Sequence, residues 1–234
     1  VILVGITITL FPSVLANGHR WGWVSDQTLS YTAIAVGTAV VFVMTQLEKE
    51  EPLMNFGLFK IPAFSSALVV AFVFGVGNFS ITYIIPVFLQ TVQGYTATRA
   101  GLLVLPTGIA LVTVLYFTGR YVPETVPARY PVILGLLMFA LSAGLMTTAD
   151  VNSSFAMLMF YAVIGRCGLG FILPFLSAAA LKALPPEKLN QGAGTLNFVR
   201  QIGGAFGINA LVVIISYRTQ FHSEAMTAPQ TADN

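Results

Sequence analysis

Residues 154–182 read SFAMLMFYAVIGRCGLGFILPFLSAAALK, and between its two ends this stretch carries one charge, Arg166. A helix rises 1.5 Å per residue, so about 20 apolar residues cross a hydrocarbon core of about 30 Å. The stretch exceeds that length. In lipid a backbone must satisfy its own N–H and C=O groups, which makes the span a helix. Working outward, six more stretches read the same way: 1–16, which is short, 28–47, 63–89, 101–118, 130–149 and 191–217. No ten-residue alternation recurs as a transmembrane barrel requires. The whole chain agrees: of its 234 residues, 56% are hydrophobic and 9% charged, against about 25% charged in soluble domains. The fold class expected is all-α membrane, a polytopic helix bundle.

The loops between these spans fall into two alternating sets. One set (48–62, 119–130, 182–190) holds Lys49, Lys60, Arg120, Arg129, Lys182 and Lys188; the other (17–27, 90–100, 150–153 and the tail from 218) holds Arg20, Arg99 and Arg218. The positive-inside rule makes the first set cytoplasmic and puts Trp21 and Trp23 at the outer interface. Within 48–62 a charged run at Glu48–Glu51 precedes Leu53, Met54, Phe56, Leu58 and Phe59, which fits either a segment lying along the interface or a loop packed on the helices. The chain begins at Val1 with no basic flank, unlike a signal peptide, and its first span reads as a helix entered partway. The tail after 217 reads as polar and disordered.

Net charge is +2, with no basic run to bind nucleic acid. One cysteine, Cys167, and two histidines, His19 and His222, build neither a disulfide framework nor a zinc site, and no cofactor is expected. HExxH, GxSxG and the P-loop lysine are absent, so no enzyme is expected. GVGNFS at 75–80 lies inside a span and carries no nucleotide signal.

Four strings carry a resemblance: NGHRWGWVS (17–25), EPLMNFGLFKIPAF (51–64), PVFLQTVQGYTATRAG (86–101) and LPPEKLNQGAGTLNFVRQIGGAFG (184–207). In this order they resemble the EmrB/QacA-type, 14-helix drug:proton antiporters of the major facilitator superfamily. The resemblance implies that 1–47 is the pair of linker helices between two six-helix halves, the first clipped. It implies that 48–62 is a cytoplasmic interfacial linker, that 63–217 is five helices of the C-terminal bundle lacking its last helix, and that 218–234 is a polar tail. The N-terminal half and the last helix are then missing partners. One departure is GRYVPETVPAR (119–129), where the family's Gly-x-x-x-Asp-Arg/Lys-x-Gly-Arg loop keeps only its ends, Gly119 and Arg129.

Six residues are candidates for a substrate cavity. Arg166 lies mid-span, where an arginine costs about 2.5–3.5 kcal/mol on insertion scales, yet no span holds an Asp or Glu to pair with it. It either lines a cavity or bonds a neighbouring helix's carbonyls, and by resemblance its helix lines the central cavity. Asn197, Arg200 and Gln201 share a face of the last span, with Gly203 and Gly207 as a small-xxx-small pair. Asn78 and Thr82 lie one turn apart on the third span. Pro86, Pro106 and Pro174 interrupt spans and are sites for kinks. By resemblance the parent exports hydrophobic or cationic compounds against protons across a bacterial plasma (inner) membrane, by alternating access around a midplane cavity. With no acid in its spans, the chain alone is expected to be inactive. The alternatives are a half-transporter or assembly module that needs a partner chain, and a nonfunctional remnant.

Overall fold

The structure, a computed structural model, describes residues 25–47, 56–122 and 126–227. The expected first span 1–16, Trp21, Trp23, His19, residues 48–55 of the 48–62 loop and the last residues of the tail lie outside that description. The elements are α1 (Asp26–Leu47), a 3₁₀ turn (Phe56–Lys60), α2 (Pro62–Thr91), α3 (Ala97–Leu102), α4 (Val104–Tyr121), α5 (Arg129–Met146), α6 (Phe155–Lys182), a second 3₁₀ turn (Pro186–Lys188) and α7 (Leu189–Thr227). The described residues contain no strand. Five segments are long and apolar enough to cross a membrane: Pro62–Thr91, Ala97–Tyr121, Arg129–Met146, Phe155–Lys182 and Pro186–Phe221. The all-α membrane class read from the sequence is what the chain adopts.

Local chemistry explains the helix ends. Pro62 opens α2, where its missing N–H costs nothing. The Thr96 side chain accepts from the Arg99 amide and starts α3, and the Ser154 side chain accepts from the Met157 amide and starts α6. Gly94 takes φ of 68° in the turn between α2 and α3, a conformation that glycine adopts without the penalty of a Cβ. Of the three prolines, only Pro106 coincides with an interruption. It sits in the first turn of α4, just after the break at Leu103, and it cannot donate to the carbonyl of Leu102. Pro86 and Pro174 lie inside continuous helices, contrary to the expectation of interrupted spans. The last helix also continues past Tyr217 to Thr227, where a polar tail was expected, because a helix carries its hydrogen bonds into water as well as through lipid.

The chain divides into two compact units. One comprises Gly57–Ala71 and Ile81–Leu196; the other takes in, among the described residues, α1, Phe72–Ser80 and the part of α7 from Asn197 on. In the first unit α6 packs on both α5 and α4. It is the most buried of the five membrane-length segments, at 39% of its apolar window against 17–22% for the rest. Backbone approach sets the α5–α6 seam. A Cβ on Gly135 would meet the Gly168 carbonyl oxygen at 2.6 Å, and one on Gly168 would meet the Gly135 carbonyl oxygen at 2.5 Å. About two turns back along α6, the Ser142 hydroxyl donates to the Tyr161 carbonyl at 2.7 Å. Small residues and an interhelical hydroxyl bond are what lipid-embedded packing favours, since lipid tails offer helices no hydrophobic drive to associate.

One end of this unit is closed by a cluster of Leu89, Ala100, Leu103, Leu158 and Ala162, flanked by Phe88, Tyr95 and Phe155. Gln93 ties two loops together there, donating from Nε2 to the carbonyls of Ser153 at 2.8 Å and Asp150 at 3.2 Å. At the start of the unit the 3₁₀ turn buries Leu58 completely, and the Ser65 hydroxyl donates to the Phe59 carbonyl. The described part of the 48–62 loop therefore packs on protein.

In the second unit α2 and α7 meet backbone to backbone. A Cβ on Gly75 would collide with the Arg200 carbonyl, one on Gly203 with the Phe72 carbonyl, and one on Gly207 with the Val76 carbonyl and the Ser80 hydroxyl. The small-xxx-small pair at Gly203 and Gly207 is a helix-packing seam.

Candidate functional site

Arg166 projects from the middle of α6 and is half-buried. Its Nη2 donates to the Thr82 hydroxyl on α2 at 3.3 Å. Among the described residues no carboxylate lies within ion-pair reach of it. A guanidinium carries five N–H donors and accepts nothing. The pair therefore presents donors and a fixed positive charge in the middle of a membrane-length helix. That arrangement takes up an anion, a carbonyl or water, and it disfavours a bare cation until an acid from elsewhere offsets the charge. Gly165 and Gly168 flank Arg166 and belong to the seam against α5, so the backbone that carries the guanidinium is anchored. Cys167 is half-buried beside it with a free thiol.

Arg200 is placed differently. Its Nη2 donates to Asn197 Oδ1, one turn back on the same helix, at 2.7 Å. Its carbonyl is the group that Gly75 accommodates. Asn197 and Gln201 are exposed. Asn78 is half-buried on α2, in the unit with Arg200, and Thr82 lies one turn on, in the unit with Arg166. Of the six candidates, the structure therefore pairs Arg166 with Thr82 and Arg200 with Asn197.

Some polar residues escaped the sequence reading. Ser142, Thr195 and Asn209 are buried and bond backbone carbonyls; Thr195 and Asn209 each reach the residue four positions back on α7, at 2.8 and 2.7 Å. A hydroxyl or amide inside an apolar run is their only signal, and it does not separate packing from binding. Among the described residues no group of His, Cys, Asp or Glu is placed to hold a metal ion.

Comparisons with known proteins bear on what these helices belong to. A family model described as Major Facilitator Superfamily matches residues 1–208. The chain is 28% identical over 97% of its length to the uncharacterized MFS-type transporter YhcA of Bacillus subtilis, covering 43% of that protein. It is 28% identical over 93% of its length to the multidrug transporter protein MdtP of Bacillus subtilis, covering 40% of it. It is 25% identical over 99% of its length to the colistin resistance protein EmrB of Acinetobacter baumannii, covering 46% of it. The chain thus spans less than half the length of each of these relatives.

Proposed function

The chain belongs to the Major Facilitator Superfamily, and from that premise we propose that it is the C-terminal part of a drug-export permease whose substrate path runs past Arg166. It is a multi-pass membrane protein of a transporter family, not of an enzyme family, and its relatives are bacterial, so its site of action is the bacterial plasma membrane. The observation that carries the reading is the Arg166–Thr82 pair. A charge that costs energy in lipid is held at the centre of the most buried of the membrane-length helices by a hydroxyl from a second helix, with no acid among the described residues to neutralise it. Packing alone does not require a guanidinium there.

In this reading the remaining helices come from the rest of a longer polypeptide or from a partner chain, and the two bundles rock around a midplane cavity. Proton coupling needs a membrane-embedded acid that changes charge between states, and the spans of this chain hold none. The acid therefore lies in the other half. Hydrophobic drug-like compounds are the substrate class, in keeping with the names of the multidrug and colistin resistance relatives.

The test is dye efflux from a host stripped of its main drug pumps. The chain alone is expected to export no more than the empty vector. Co-expressed with the N-terminal half of a relative, it is expected to export in a proton-gradient-dependent way, and Arg166→Ala is expected to lose that export. Export by the chain alone, or undiminished export by Arg166→Ala, contradicts the reading.

A further inference from the structure

A groove of about 460 Å³ lies between the C-terminal turns of α4 and α6, away from the Arg166–Thr82 pair. It is lined by Thr118 and Gly119 from α4, by Val122 just past its end, by Pro174, Ala178 and Lys182 from α6, and by their neighbours. Its origin is readable in the two helix faces. Gly170, Pro174, Ala178 and Lys182 follow one another at four-residue spacing on α6, so they form one stripe. Val114 and Thr118 do the same on α4. At the Gly170 level the helices touch, since a Cβ there would meet Val114 Cγ1 at 2.7 Å. One to two turns further on, Gly119, Ala178 and Ala179 are too small to fill the space, and the stripe leaves a slot that ends at a lysine.

We propose that this groove is a binding site for an anionic phospholipid, with an acyl chain in the slot and the headgroup phosphate on Lys182. The charge at this end fits that occupant. Arg120 stands in the last turn of α4 and Lys182 in the last turn of α6, with Arg129 opening α5. Glu187 is the acid of the described turn that follows α6, and Glu124 belongs to the 119–129 stretch, so the basic residues prevail. Among the described residues nothing accepts a hydrogen bond from the Lys182 ammonium. Helix C-termini repel anions, so the phosphate has to be held by the Lys182 side chain, which reaches past the last carbonyls. Basic pockets between helices at the cytoplasmic face suit such headgroups.

The test uses the purified chain in nanodiscs of phosphatidylcholine doped with phosphatidylglycerol, read by native mass spectrometry of retained lipid. The wild-type chain is expected to retain phosphatidylglycerol in preference to phosphatidylcholine. Lys182→Gln is expected to lose that preference by about fivefold, while Lys60→Gln, at an exposed lysine on another element, keeps it. Ala178→Phe, which fills the slot, is expected to lose retention of both lipids. A photoreactive benzoylphenylalanine at position 175 is expected to form its adduct with lipid. Equal retention by wild type and Lys182→Gln, or an adduct between position 175 and polypeptide, overturns the proposal.

Discussion

Arg166 and Arg200 both lie inside apolar helices of this chain, and they are held in opposite ways. Arg166 reaches across to another helix, to a hydroxyl 84 residues away in sequence, at 3.3 Å. Arg200 turns back on its own helix to Asn197 at 2.7 Å, while its carbonyl fills the hollow that Gly75 leaves. For Arg200 the bond is local and the neighbouring glycines explain the position, so its environment is a packing seam. For Arg166 the long hydroxyl bond uses one donor of five and leaves a positive charge that the fold does not otherwise need. The lesson is that a charge inside a membrane span is not by itself a site. What its backbone and its partner are doing decides between seam and site.

The largest effect that separates the two regions is steric. Gly75→Val drives a side chain into the Arg200 carbonyl, where only backbone can move. It is expected to destabilise the chain by about 3 kcal/mol, the upper end for overpacking, seen as lost folded yield and a lower melting temperature in detergent. A variant that melts like wild type removes the seam from the account. Next comes Arg166→Ala. It is expected to leave the melting temperature within a few degrees of wild type while abolishing export in the complemented system. The opposite pattern, export kept and folding lost, makes Arg166 structural.

A smaller effect is expected from Thr82→Val. Interhelical side-chain bonds in lipid average about 0.6 kcal/mol and reach about 1.7. In a double-mutant cycle with Arg166→Ala, the coupling energy is expected to fall in that range, whereas additive single changes break the pair. The smallest effect is Asn197→Ala. Its bond to Arg200 lies on an exposed helix face, so the loss is expected to stay below about 0.5 kcal/mol, measured by thermal melting. A loss comparable to that of Gly75→Val makes Asn197 a further element of the seam.

The membrane helices were legible because hydropathy reports contact with lipid, and lipid contact demands a helix. The expected 63–89 and 154–182 correspond to Pro62–Thr91 and Phe155–Lys182. The same signal is blind to helix that leaves the lipid, which is why α7 was expected to stop at 217 and runs to Thr227. It was also blind to the break at Leu103, although Pro106 stood in plain view, because Pro86 and Pro174 offer the same residue type inside unbroken helices.

Arg166 was legible as a residue of interest from its cost alone, but its partner was not, since nothing in the sequence says which helix lies beside it. Gly203 and Gly207 were readable as a pair. The pairing of Gly135 with Gly168 was not, because the motif exists only between two helices. The Gln93 tie to Asp150 and Ser153 escaped for the same reason, being a contact between two loops.

The most direct test of the central claim is water access to position 166. With the native thiol removed by Cys167→Ala, Arg166→Cys is placed in the co-expressed system and treated with a charged, membrane-impermeant thiosulfonate. Ile172→Cys serves as the fully buried comparison. Modification at 166 is expected to be rapid and to be slowed by a transported drug, with none at 172. A thiol at 166 that stays as unreactive as the one at 172 in the folded protein, while both react on denaturation, contradicts the claim that Arg166 faces a substrate path.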